Sequence, residues 1–71
     1  MLDVEATGKR IRLARQMRRM NERELAEAIG YSCKAVSAWE TGVNAPTGDA
    51  IRELCRALWV SADWLLDVKG D

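Results

Sequence analysis

The stretch Glu24-Leu25-Ala26-Glu27-Ala28-Ile29-Gly30-Tyr31-Ser32-Cys33-Lys34-Ala35-Val36-Ser37-Ala38-Trp39-Glu40 decides the fold. It sets a small residue at Ala26, a glycine four positions later at Gly30 and a β-branched apolar residue at Val36. Ala26 lets a neighbouring helix approach closely. Gly30 can take the left-handed backbone that ends the first helix. Val36 fills the angle between the two. The stretch therefore reads as two short helices crossing steeply, a helix-turn-helix unit. The second helix of such a unit is the one normally offered to the major groove of DNA.

Working outward, the residues before and after this unit predict three more helices. The first begins between Asp3 and Thr7 and ends near Arg19. Leu13, Met17 and Met20 supply its apolar face at i, i+4 and i+7, with Ile11 and Ala14 flanking. Arg12, Arg15 and Arg19 share the opposite side. The second helix starts at Asn21, which with Glu24 reads as a capping box. Leu25 and Ile29 form its buried stripe, and Gly30 stops it. In the third helix Ser32 is the cap. Val36 and Trp39 face inward, while Cys33, Lys34, Ser37, Ala38 and Thr41 face outward on a small, mostly polar surface. Gly42 and Pro46 bound a loop. Thr47 caps the fourth helix, where Ile51, Leu54, Cys55 and Leu58 recur at i, i+3, i+4 and i+7. Cys55 falls in that stripe and reads as a small core hydrophobe. Ser61 caps a short fifth helix carrying Trp64, Leu65 and Leu66. Val68 to Asp71 reads as a frayed tail.

The class is all-α: one compact five-helix domain over residues 1–71, ordered from about residue 5 to residue 67. A domain this small buries only about 60% of its unfolded surface, so dimerisation would help it. Met1-Leu2-Asp3 begins acidic with no apolar stretch behind it, so neither a secretory signal nor a membrane span is expected. With Cys33 and Cys55 the only cysteines, a reducing cytoplasm fits. There is no histidine, no glycine-rich phosphate loop with a lysine, and no cysteine pair at metal spacing. Enzymatic activity, a metal and a cofactor are accordingly not expected. The net charge is zero, yet it is unevenly spread. Residues 7–20 hold Lys9, Arg10, Arg12, Arg15, Arg18 and Arg19 without an acid. Residues 41–71 hold five acids against three bases. One pole can approach phosphate while the other stays away.

Taken together, the register resembles the lambda-repressor and Cro-type helix-turn-helix family from about Gly8 to Leu66. The matching residues are Gly8-Lys9-Arg10-Ile11, Arg15, Glu24-Leu25-Ala26, Ile29-Gly30, Ser32, Val36-Ser37, Trp39-Glu40, Gly42, Pro46, Ala57-Leu58, Val60-Ser61 and Asp63-Trp64-Leu65-Leu66. The resemblance implies that Arg15 and Glu40 form a structural salt bridge pinning the third helix to the first. It implies base contacts at Cys33, Lys34, Ser37 and Ala38, of which only Lys34 donates strongly to guanine O6 or N7. Phosphate contacts are expected at Arg10, Arg19, Asn21, Ser32, Thr41 and Asn44. In short relatives the fifth-helix region supplies the dimer contact, here Trp59, Val60, Trp64 and Leu65.

Five positions depart from the family pattern. Glu22 stands where a phosphate-holding Gln is usual, and Val43 and Asn44 replace basic loop residues. Arg19 and Trp59 stand where Gly is common. A left-handed Trp59 would be strained, so the fourth helix is expected to end differently there, or to leave Trp59 as an exposed aromatic on a partner surface.

These features predict a transcriptional regulator, a repressor, that binds a near-palindromic double-stranded operator as a homodimer. The alternative is a protein-interaction module of the same fold with weak DNA affinity, including an antitoxin that binds a toxin; the neutral charge and Glu22 motivate it. Cys33, in the first turn of its helix, is a small contact residue or a redox switch that closes the groove face when oxidised.

Overall fold

The computed structural model describes residues 3–66. The expected tail at Val68–Asp71 lies outside them. Five helices follow in order: α1 Val4–Met17, α2 Glu22–Ile29, α3 Cys33–Glu40, α4 Gly48–Leu58 and α5 Ala62–Leu66. No helix among the described residues is long and apolar enough to cross a membrane.

Local chemistry sets each start. Asp3 Oδ1 accepts from the Ala6 amide at 3.0 Å. Asn21 and Glu24 form a reciprocal box: the Glu24 amide donates to Asn21 Oδ1 at 2.7 Å and the Asn21 amide donates to Glu24 Oε1 at 2.8 Å. Ser32, Thr47 and Ser61 accept from Ala35, Ala50 and Trp64 amides respectively. Each such cap satisfies an amide that helix geometry leaves without a partner and contributes about 1 kcal/mol. At the other end of α2, Gly30 has φ +78°. Its amide and that of Tyr31 both donate to the Ala26 carbonyl, which closes the helix and turns the chain toward α3.

The core is one cluster built from every helix: Ile11 and Ala14 from α1, Leu25 and Ile29 from α2, Val36 and Trp39 from α3, Leu54 and Leu58 from α4, Leu65 from α5. α1 packs on α3, α4 and α5, and α2 packs on α3 and α4. The α1–α3 crossing is close because Gly8 has no side chain. A Cβ there would lie 2.3 Å from the Trp39 carbonyl oxygen and 2.9 Å from that of Glu40.

That crossing corrects the expected face of α1. Leu13 and Met17 are 49% and 73% exposed, not buried. The inward face is Thr7, Gly8, Ile11 and Ala14. Small residues win this face because α3 lies directly against it, and Leu13 and Met17 are turned away. Met20 alone of the expected stripe packs partly against the core.

The end of α4 is a second correction. Trp59 adopts φ +62°, ψ +40°, the left-handed conformation expected to be avoided. The Trp59 and Val60 amides both donate to the Cys55 carbonyl, so the helix closes as it would with glycine. Arg19, after α1, is also left-handed at φ +57°. Such backbone costs a non-glycine residue about 1–2 kcal/mol. At Trp59 the Arg18 guanidinium stacks 3.4 Å from the ring centroid, which offsets part of that cost.

Candidate nucleic-acid interface

Helical periodicity divides α3 into two sides. Val36, Trp39 and Glu40 are buried, and the Trp39 ring meets Tyr31 edge-on at 5.2 Å. The opposite side brings Cys33, Lys34, Ser37 and Ala38 together. Cys33 and Lys34 are exposed, whereas Ser37 and Ala38 are half-buried. Thr41 continues this side, but its hydroxyl donates to the Ser37 carbonyl at 2.9 Å. To donate to a phosphate it would first have to leave the helix.

The far end of α3 is locked. Arg15 Nε donates to Glu40 Oε2 at 2.7 Å and a terminal nitrogen donates to Oε1 at 3.0 Å. The other terminal nitrogen donates to the Met20 carbonyl at 2.9 Å. The Arg15 side chain is 12% exposed and that of Glu40 fully enclosed. The hydrogen-bonded Glu40 carboxylate holds the Arg15 pKa above its usual value, against the opposing effect of burial. Arg12 adds a third contact, Nε to Glu40 Oε1 at 3.3 Å. The sequence reading missed Arg12 here, although it lies three residues before Arg15 and so shares its helix face.

Glu22, the first residue of α2, joins the same cluster. It is half-buried, and the Glu40 carboxyl acts on it electrostatically. Burial, then the neighbouring Glu40 carboxyl, push Glu22 above the usual carboxylate range, with Arg15 and Arg12 opposing. No local sequence signal pointed to this influence, because residues 22 and 40 come near each other only when α2 and α3 fold together.

The expected phosphate contacts are spread over the molecule. Asn21 is exposed, and its cap uses Oδ1, leaving the amide nitrogen to donate. Ser32 is exposed, and its oxygen accepts from Ala35, leaving its hydroxyl hydrogen to donate. Asn44 is exposed in a loop tied to α3, since the Val43 and Asn44 amides both reach the Ala38 carbonyl. Arg10 is half-buried and engaged in an interaction of its own.

Arg19 belongs elsewhere. With Arg18, Met17, Trp59, Val60 and Trp64 it lines a mainly apolar groove of about 690 Å³ between the end of α1 and the α4–α5 turn. Arg18 is fixed there, donating to the Ala57 carbonyl while it covers Trp59. Trp59 is 76% exposed. Leu65, expected at the dimer contact with Trp59, Val60 and Trp64, has no exposed surface. That assignment is corrected: Leu65 fills the core beneath the groove and is not available to a partner.

The family described as helix-turn-helix matches residues 11–65. Repressor protein C2 of Salmonella phage P22 is 34% identical over 70 residues, which is 99% of this chain and 32% of that protein. The HTH-type transcriptional regulator DicA of Escherichia coli (strain K12) is 39% identical over 59 residues, 83% of this chain and 44% of that protein. The chain thus spans less than half the length of either relative. The P22 c2 repressor, crystallised in complex with synthetic operator 9T, matches with a TM-score of 0.82 and 37% identity over 92% of this chain and 96% of that one.

Proposed function

The chain belongs to the helix-turn-helix family, and on that premise we propose that it is a sequence-specific DNA-binding transcriptional regulator, a repressor. It binds a near-palindromic operator as a homodimer, with α3 in the major groove. The observation that carries this reading is the outward side of α3. Cys33, Lys34, Ser37 and Ala38 form one accessible strip on a helix whose far end is held by Arg15 and Arg12 through Glu40. Lys34 is assigned to guanine, Ala38 to a thymine methyl, and Ser37 and Cys33 to neighbouring edges. Asn21 and Ser32 donate to the backbone, aided by the start of α2. The P22 relative is a repressor and forms a complex with a synthetic operator, which supports the same reading.

In this reading residues 1–71 act as one domain, in the cytoplasm, without catalysis. Trp59, Val60 and Trp64 meet the second copy, and Met17 borders that contact from α1. Two copies related by a two-fold axis place their α3 helices about 34 Å apart, one turn of DNA.

Selection of bound sites from random duplexes tests the whole reading. Two related half-sites about one helical turn apart are expected, with affinity falling steeply as salt rises. Recovered sequences without a common half-site would refute it. A second reading, a protein-interaction module of the same fold, is favoured by the exposed apolar groove and by Glu22 at the start of α2. Its mark would be weak, sequence-indifferent DNA binding.

A further inference from the structure

We propose that the groove between the end of α1 and the α4–α5 turn is a binding site for a flat aromatic carboxylate, and that such a ligand competes there with the second copy. The competition rests on the homodimeric DNA-binding reading above; the site itself does not.

The groove measures about 690 Å³, within the roughly 300–1,000 Å³ of pockets that hold small organic molecules. Its lining is mainly apolar, with Ala14 and Met17 from α1 and Leu58 from α4. Two exposed indoles, Trp59 and Trp64, stand in it. Stacking on an aromatic ring adds to the burial of apolar area, so a planar ring gains more here than a flexible chain of equal size. The Arg18 guanidinium already lies 3.4 Å from the Trp59 ring centroid. That indole thus holds a planar group on one side, and at 76% exposure most of it stays open to another.

Two arginines and no acid line the groove. Arg18 donates to the Ala57 carbonyl, a single use for a group with five N–H donors. Arg19 is exposed, and its guanidinium has no hydrogen bond or ion pair among the described residues. The Ser61 oxygen accepts from the Trp64 amide, which leaves its hydroxyl hydrogen to donate. A carboxylate matches a guanidinium with two parallel hydrogen bonds. Neutral and cationic ligands leave those donors unused. The backbone points the same way. Arg19 and Trp59 are the two left-handed non-glycine residues among those described, and both line this groove. Such strain persists where the surroundings hold it, and it gathers at ligand clamps. Here it sets a cation and an aromatic ring in one cleft.

Trp59, Val60 and Trp64 cannot meet a ligand and a partner chain at once. The ligand therefore holds the lone chain and opposes pairing by mass action. At about ten times its dissociation constant it leaves about one chain in eleven empty. The chain concentration that half-saturates a two-copy operator then rises roughly tenfold wherever the free chain is monomeric.

The probes are naphthalene carboxylate and its neutral match, naphthalene carboxamide. Each is titrated by NMR into the isotope-labelled full chain at a concentration where sedimentation finds it monomeric. The carboxylate should saturate with a dissociation constant on the order of 0.1 mM. It should move the Trp59 and Trp64 indole signals and leave that of buried Trp39 in place. The carboxamide should bind about fivefold more weakly, the upper end for an exposed ion pair. Arg19→Gly should bring the carboxylate close to the carboxamide, with thermal unfolding as the check that the variant folds. No saturable shift up to about 5 mM, equal affinity for the two probes, or an unchanged Arg19→Gly would overturn the site and leave DNA binding intact. Anisotropy of a labelled duplex carrying a selected site reads the competition. The carboxylate at saturation should raise the half-saturating chain concentration roughly tenfold. A filled groove with duplex binding unmoved would overturn the competition. Probe binding by a chain that binds no duplex would support the site and overturn the DNA-binding reading instead.

Discussion

Removing Arg15 should unlock α3, and the size of the effect follows from the Glu40 site. The substitution Arg15→Met keeps the apolar stem and deletes three hydrogen bonds, two of them to a fully enclosed carboxylate. Breaking a buried pair by deleting one partner costs about 3–5 kcal/mol, because the remaining charge stays buried. Arg12 still reaches Oε1, so the lower end, about 3 kcal/mol, is expected here. A domain of this size has about 4–11 kcal/mol in total. A loss of 3 kcal/mol should lower the melting temperature by about 12–24 °C. Glu40→Gln keeps the acceptor and loses the charge, at about 1–2 kcal/mol. In the double variant no buried charge is stranded, so the two losses should fall short of their sum by about 1.5–2 kcal/mol. Urea unfolding followed by far-ultraviolet circular dichroism yields all four corners of the cycle. Losses that add to within about 0.5 kcal/mol would refute the lock and make the pair a surface contact of little worth.

Four further outcomes are expected. Gly8→Ala should cost about 2–3 kcal/mol in urea unfolding, because its new methyl meets backbone carbonyls of Trp39 and Glu40 that no rotamer change can move. Arg19→Gly should stabilise the isolated domain by up to about 1 kcal/mol, as left-handed strain is relieved against a small entropic loss; Trp59→Gly should gain less, since it also loses the Arg18 stack, and should weaken self-association in sedimentation equilibrium. Lys34→Ala should cost about 1–3 kcal/mol at the selected operator and relax the preference at one base position, read by repeating the selection, with the melting temperature unchanged because Lys34 is exposed.

The helix starts were legible because their signals are local. Asn21 with Glu24, Ser32 and Thr47 each act within three residues, and the hydrogen bonds form where the spacing places them. The inward side of α3 was legible for a related reason, since Val36 and Trp39 alone can fill a core from that helix. The inward side of α1 was not. Leu13 and Met17 make as good a stripe as Ile11 and Ala14, and the choice depends on how near α3 lies, which Gly8 permits. The conformation of Trp59 was misjudged because strain was weighed without its partner: Arg18 stacking is a contact the chain makes only after α1 and α4 pack. Glu22 was recognised as unusual, but the influence of Glu40 on it joins residues far apart in sequence.

The interleaving on α3 has a consequence for how recognition can diversify. Residues that hold the helix in place alternate with those that look outward, so the outward letters can be exchanged without rewriting the scaffold. The freedom is uneven along the axis. Positions 33 and 34 open onto solvent and accept side chains of any length, whereas 37 and 38 are half-covered by their surroundings and confine the choice to compact residues. New operator preferences should therefore arise first at the leading turn of the helix, while its trailing turn keeps a short, conservative vocabulary.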